Sequence, residues 1–427
     1  MSLPIILEMS PIAFGMESDL ANTGITRVCR EILIALDHLL DNGGDKHEQY
    51  YIFSSSSRWH NQLLSHSVLH RLGLKRFKPL MDPCDITLAS CIDAHSGISL
   101  KGLTKIAEPW NQKLDCFGPT AKQFLSTSDY VYLTSYLPTP DYVRTNQKAR
   151  IVHHIHDLFP LTKPSLFHGG IDELWKRKAA DFMPQDHYVC ISHATADDLR
   201  RVFPFIPDSH ITVAPNAGDH ALRIASAEQS DAVAKYGLTG SPFFITVSTL
   251  EPRKNLPFLL RAFREYKHRY QSDHQLVCIG ATGWMADAER DFIEGVSSSG
   301  DIHFLGRRSD PETFAFIQQA TAYISTARCE GFGLGLAEAM SLGCLPIAAR
   351  NTSQVEVVEG IGMLFSTLEE LINALHSAAV TCYVREDIQQ QALDRFLWAR
   401  SAGQIKTLLE KQASLLSSQP TTPFVMA

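Results

Sequence analysis

Short apolar runs alternate with amphipathic stretches along the whole chain, and that alternation predicts the fold. "PIILEMSPIAF" (4–14) reads as a strand running into a loop. "NTGITRVCREILIALDHLL" (22–40) follows, with Ile25, Val28, Ile32, Leu33, Leu36 and Leu39 at helical spacing. Strand, glycine loop, helix is the opening of a nucleotide-binding α/β unit. "DYVYLTSYLP", "RIVHHIHDLFP", "DHYVCIS" and "HITVAPNAG" are further short apolar runs that end in turn or polar residues. They predict parallel strands whose carboxyl ends carry the chemistry.

Residues 217–241 are polar, small and weakly patterned, and are expected to form a linker. A second strand series follows: "PFFITVST", "HQLVCIG", "IHFLG", "AYISTA" and "CLPIAA". Helical stretches such as "NLPFLLRAFREYKHRY" and "PETFAFIQQA" separate them. Two doubly wound α/β domains facing across a cleft are expected, over 1–220 and 241–395. "RFLWARSAGQIKTLLEKQASLL" (395–416) reads as an amphipathic helix, and "SSQPTTPFVMA" as a loose tail.

At 427 residues the chain is too long for one core, which agrees with two domains. A net charge of −7 argues against a nucleic-acid partner, which usually demands a basic face. Nine scattered cysteines with no CxxC read as reduced thiols of a cytoplasmic protein. Glu8 inside the first apolar run and the lack of a basic leader argue against a signal peptide. No run reaches the length of a membrane span.

Candidate chemistry concentrates in four places. In "RCEGFGLGLAEAMSLG" (328–343), Glu330 and Glu338 bracket Gly331, Gly333 and Gly335 at a predicted helix start. Glycines let the backbone approach a ligand, and the helix N-terminus favours an anion such as phosphate. The two carboxylates suit hydroxyls instead: a sugar at Glu330 and a ribose diol at Glu338. A nucleotide-sugar has that layout; a plain helix start with solvated glutamates is the alternative. In "STLEPRKNL" (248–256), Arg253 and Lys254 stand between a strand and a helix. They suit a diphosphate or form a surface pair.

In "HHIHDLFP", alternation sends His154 and His156 to one face and His153 to the other. That split, with no carboxylate or cysteine cluster to complete a cage, disfavours a metal site. A His–Asp pair at a strand end suits sugar binding or proton handling; satisfied core histidines are the alternative. In "ANTGITRV", Gly24 lets a diphosphate approach from the first domain, with Thr23 in the N-cap region, or simply starts a helix. A weaker signal, "RWHNQLLSHSVLHRLGLKRFKP" (58–79), predicts an amphipathic helix with Arg71, Lys75, Arg76 and Lys78 at its end. It is either an ordinary surface helix or a contact to anionic lipid at the inner membrane.

"TLEPRKNLPFLLRAF", "SHATADDL", "ITVAPNA" and the long run from "IHFLG" through "CLPIAA" closely resemble the retaining glycosyltransferases of family GT4, in order and in spacing. "NTGITRV", "HDLFP" and Trp398 extend the resemblance over nearly the whole chain, and Glu330 and Glu338 match the family's E-x7-E motif. The early motifs look most like bacterial enzymes of O-antigen or exopolysaccharide synthesis, many of them mannosyltransferases. The resemblance implies a GT-B fold with a C-terminal donor domain, an N-terminal acceptor domain and a last helix crossing back. It implies that His156, Arg253, Lys254 and Glu330 stand at the reaction centre. Donor binding would fall to Gly24, Arg253, Lys254, Glu330, Gly331, Phe332, Gly333, Leu334 and Glu338. Gly335, and the position before Glu356, depart from the family's usual prolines. Ala327 and Arg328 stand where small or aromatic residues are commoner.

The implied reaction moves a hexose, mannose first, from GDP-mannose or a UDP-sugar to a glycan or lipid-linked saccharide. No metal or other cofactor is expected: no DxD stands at an evident strand end, and the two cations with the helix start can meet the leaving phosphate's charge. The alternatives are a nucleotide-sugar epimerase of the same fold, and a non-catalytic nucleotide-sugar-binding scaffold subunit.

Overall fold

The structure is a computed structural model, and it describes residues 3–9, 11–12, 24–42, 50–53, 72–79, 119–134, 137–167, 171–227, 232–284, 290–293, 295 and 300–418. The first sheet comprises β1 (Ile5–Glu8), β2 (Tyr50–Phe53), β3 (Phe77–Pro79), β4 (Tyr130–Thr134), β5 (Ala149–Ile155), β6 (His187–Cys190) and β7 (Ile211–Val213). They run in the order β3-β2-β1-β4-β5-β6-β7. The second comprises β8 (Phe243–Val247), β9 (Gln275–Ile279), β10 (Ile302–Gly306), β11 (Ala322–Ser325), β12 (Leu345–Ala349) and β13 (Met363–Phe365), ordered β10-β9-β8-β11-β12-β13. Every pairing is parallel. β1, β4 and β12 are buried at every residue, which is why they read as continuous apolar runs rather than alternating ones.

The helices that position the site are α1 (Gly24–Asn42), α2 (Ile171–Ala179), α3 (His193–Val202), α4 (His220–Ala227), α5 (Leu256–Tyr270), α6 (Asp310–Gln319), α7 (Leu334–Ser341), α8 (Thr352–Val358), α9 (Arg385–Arg395) and α10 (Trp398–Ser417). α10 leaves the second domain and packs along α1 and against β4, β5 and β7 of the first. Its buried face, including Ile405, Leu409 and Ala413, covers the apolar stripe of α1.

Three expectations need correction. The described residues of the expected linker over 217–241 are not loose: α4 and a short helix, Ala232–Lys235, lie there and pack on α6. Ala221, Ala232 and Val233 are buried, so the chain enters the second domain near residue 218 rather than 241. The helix expected over 58–79 does not reach its end. Residues 72–76 turn, Phe77–Pro79 is an edge strand, and Asp37 accepts the backbone N–H groups of Lys75 and Arg76. Residues 58–71 lie outside the described residues, as do Thr23 and Cys84, Cys91 and Cys116. Five of the six described cysteines are buried free thiols, and Cys382 is exposed. No helix among the described residues is long and apolar enough to cross a membrane.

Candidate active site

Each sheet reverses its direction of winding between two strands, β1 and β4 in the first and β8 and β11 in the second. Ligands of open parallel sheets bind outside the carboxyl ends of the strands at such a reversal. In the second domain the loops there are 248–255 and 326–333, and they are stitched together. The Arg328 N–H donates to Arg253 O at 2.8 Å, and Thr326 Oγ1 donates to the carbonyls of Lys254 and Asn255 at 3.0 and 3.2 Å. Asn255 takes a left-handed φ of 55°, which turns the chain from the cation pair into α5. Gly280 backs this loop: a Cβ there would lie 1.8 Å from Ser248 O.

The stitching brings the two cations and the carboxylate into one cluster. Arg253 donates to Glu330 Oε2 at 3.0 Å, to Glu251 Oε1 at 2.7 Å and to Cys329 O at 3.1 Å. Lys254 Nζ lies 2.5 Å from Glu330 Oε1. Burial works against the Glu330 carboxylate, but the Lys254 and Arg253 charges outweigh it and hold its pKa below the ordinary range. Two cations, Arg253 and Lys254, thus face two carboxylates, Glu251 and Glu330, and an incoming anion competes for groups already aligned.

α7 begins beside this cluster. Gly333 holds φ 94° at its N-cap, and no side chain caps the first turn of the helix. Gly335 has a different reason to be glycine. A Cβ there would meet Tyr323 Oη at 2.2 Å, and that hydroxyl donates to Val247 O at 3.1 Å. Burial, with the nearby Glu338 and Glu330 charges, pushes the Tyr323 pKa up and keeps it a donor.

The first domain closes onto the same loop. Gly331 lies so near the end of β5 that a Cβ would be 2.1 Å from His156 O. The Ser192 and Thr195 hydroxyls at the start of α3 meet Gly331 O at 2.6 and 3.1 Å. Glu356 of α8 takes the backbone N–H groups of His193 and Ala194, both at 3.1 Å, so one domain caps a helix of the other. His154 and His156 share one face, with ring centroids 4.6 Å apart, and the Nε2 atom of each is buried without a protein hydrogen bond. Burial first, then His154 and Lys178, drives the His156 pKa well below its usual value, so its ring is neutral near pH 7. Burial also raises the Asp157 pKa against the pull of Arg253. His153 turns the other way, bonding Asp186 at 3.0 Å and stacking on Tyr188. Among the described residues no cluster of three or more His, Cys, Asp or Glu could hold a metal ion.

The structure therefore gathers His156, Arg253, Lys254, Glu330, Gly331, Gly333 and Leu334 about one place. Two assigned residues differ from expectation. Phe332 is 2% exposed and meets Phe396 edge-on at 5.4 Å, so its side chain is core and only its backbone faces the loop. Glu338 is not an open carboxylate: it is 5% exposed, and its Oε1 takes Arg27 at 2.6 Å and His220 at 3.0 Å. Gly24 is exposed at the start of α1, and nothing lies within 4 Å of a Cβ there. Arg27, which also meets Asp310 at 2.5 Å, His220 and Glu356 escape a motif reading. An arginine in the first turn of an apolar helix, at the end of the "NTGITRV" stretch, was the available signal for Arg27.

Residues 228–366 match the family model Glycosyl transferases group 1. The chain is 23% identical over 279 residues to O-antigen chain mannosyltransferase B of Escherichia coli, covering 65% of this chain and 70% of that protein. It is 24% identical over 259 residues to the E. coli serotype-specific mannosyltransferase WbdA, covering 58% of this chain and 32% of that longer protein. Among solved structures, sucrose-phosphate synthase from Thermosynechococcus elongatus superposes with a TM-score of 0.64 at 17% identity, covering 97% of this chain and all of that one. The Anabaena protein HepE, solved with UDP and glucose, superposes with a TM-score of 0.57 at 15% identity, covering 96% and 100%. These likenesses are to the two-domain GT-B fold.

Proposed function

We propose that the chain, whose residues 228–366 match the Glycosyl transferases group 1 family model, is a glycosyltransferase that moves a hexose from a nucleotide-diphosphate sugar to a glycan or lipid-linked glycan with retention of configuration. The observation that carries this reading is the cluster of Arg253, Lys254 and Glu330 beside the uncapped start of α7, at the winding reversal of the second sheet. Bond breaking at the anomeric carbon builds negative charge on the leaving phosphate. Arg253, Lys254 and the α7 N–H groups are donors aimed at such a charge. Displaced from its two cations by the phosphates, Glu330 accepts hydrogen bonds from sugar hydroxyls. A neutral His156 offers Nε2 to the sugar from the opposite wall, and the packed Gly331 loop excludes water from the reacting bond.

Both Glu330 oxygens are tied to cations, which weighs against Glu330 as a covalent nucleophile. We take the leaving phosphate itself to accept the acceptor's proton, on the same face from which it departs. The O-antigen and serotype-specific mannosyltransferases among its relatives support mannose as the sugar and a cell-surface polysaccharide as the product. GDP-mannose as donor, action at the cytoplasmic face of the membrane and independence of a metal complete our reading.

The test is a thermal-shift panel of GDP-, UDP-, dTDP- and ADP-sugars with and without EDTA. Binding to the native state must raise the melting temperature. A shift with one base, unchanged by EDTA and lost in Arg253→Ala and Lys254→Ala, is expected. Full transfer activity in both variants refutes the phosphate assignment.

A further inference from the structure

Glu338 is wired to the place where the chain passes between its two domains. The chain enters the second domain through 214–220 and leaves it through 396–401, and these segments are bonded to each other. Ser401 Oγ donates to Pro215 O, and the Trp398 N–H donates to Asp219 Oδ1 at 3.1 Å. Gly218 presses on α7, where a Cβ would fall 2.2 Å from Ala337 O and 2.5 Å from Glu338 N. His220 stands at the junction, 2% exposed. Trp398 Nε1 lies 3.0 Å from His220 Nδ1, and His220 Nε2 lies 3.0 Å from Glu338 Oε1.

The direction of this chain follows from chemistry. An indole N–H can only donate, so Nδ1 of His220 accepts and the ring proton sits on Nε2. That proton is given to Glu338. Arg27 lands on the same oxygen, and among the described residues neither bond uses Oε2. The carboxylate is thus pinned through one oxygen and presents the other.

We propose that His220 and Trp398 are positioning residues for nucleotide recognition: Trp398 fixes the His220 tautomer, and His220 aims Glu338 at the donor's ribose diol. The inference rests on the nucleotide-sugar donor reading above and adds to it that Glu338, through its second oxygen, accepts from ribose. It ties sugar-nucleotide selectivity to the double crossing of the chain, because both groups that orient Glu338 from this side lie on the crossing segments.

The test measures dissociation constants of GDP and UDP and of their 2′,3′-dideoxy counterparts, which keep base and diphosphate but lose both hydroxyls. Hydrogen bonds to a charged acceptor separate the ribose and dideoxy forms by on the order of tenfold or more in the native protein. His220→Ala is expected to collapse that ratio toward one while leaving the dideoxy affinity within about twofold. His220→Gln, whose amide N–H can replace Nε2–H, is expected to restore most of it, and Trp398→Phe to lower it partway. A His220→Ala protein that keeps the native ratio, whatever its overall affinity, overturns the inference. So does a native protein that binds the nucleotides without discriminating the hydroxyls. A native protein that binds none of the four ligands fails differently: it removes the donor reading itself.

Discussion

Gly335 stands where the resembling family usually places proline, and Tyr323 gives the reason. A Cβ on residue 335 would lie 2.2 Å from Tyr323 Oη and 3.0 Å from Cζ, so a methyl group must displace the ring by about 1 Å to reach ordinary contact distance. The ring is anchored by its bond to Val247 O, on the strand beside β11. Overpacking of this kind costs about 1–3 kcal/mol, and loss of the Tyr323 bond adds about 1 kcal/mol. Replacing glycine by alanine inside a helix returns about 1 kcal/mol. Gly335→Ala is therefore expected to destabilise the protein by about 1–3 kcal/mol, lowering Tm by roughly 2–4 °C per kcal/mol in a domain of this size. In a Tyr323→Phe background the nearest obstacle recedes to Cζ, and the same change should cost at least about 1 kcal/mol less. Thermal and urea unfolding of the four proteins, followed by tryptophan fluorescence, complete the cycle. An equal effect of Gly335→Ala in both backgrounds, or stabilisation in the native one, refutes the argument.

Removing the Glu330 charge frees its cations: Glu330→Gln should bind inorganic pyrophosphate severalfold more tightly while losing transfer, and weaker pyrophosphate binding in competition titrations would count against the shared-cation reading. Lys178 of α2 is buried and bonds Thr134 Oγ1 at 2.7 Å, and burial first brings its pKa down to about 7 despite Glu8 and Asp181. Between about pH 7 and 10.5 the unfolded chain holds a proton that the folded one lacks, so stability should rise with pH across that window, and Lys178→Met should flatten the rise. Ser192→Ala removes a hydroxyl from Gly331 O across the domain boundary, and should raise KM and enlarge the radius of gyration in X-ray scattering; an unchanged radius would mean that the remaining contacts hold the domains closed.

Much of this molecule was legible in its sequence because parallel strands buried on both faces leave uninterrupted apolar runs. β1 and β4 through β12 were found as such runs, and α1 from apolar residues at helical spacing. β2, β3 and β13 were missed, and Phe77–Pro79 was read instead as the end of an amphipathic helix. The cations and glutamates of the site were legible because each sits in a strand–loop–helix motif with a local rationale. Arg27, His220 and Glu356 were not, since each acts on a residue more than 100 positions away, and no local pattern encodes such a meeting. The misplaced boundary has the same origin. Residues 218–227 and 232–235 look polar and unpatterned because their burial comes from α6, α7 and α10, not from their own periodicity.

The return of α10 to the first domain has an architectural corollary. Residues from about 219 to 397 are an insertion within a domain to which α10, the last helix among the described residues, returns. A stop codon after the second sheet would therefore strip Ile32, Leu36 and their neighbours on α1 of their cover. Conversely, the inserted domain begins and ends at segments that already touch, as Ser401 with Pro215 and Trp398 with Asp219 show. Exchange between related proteins should therefore succeed when both junctions are cut together, and fail when either is cut alone.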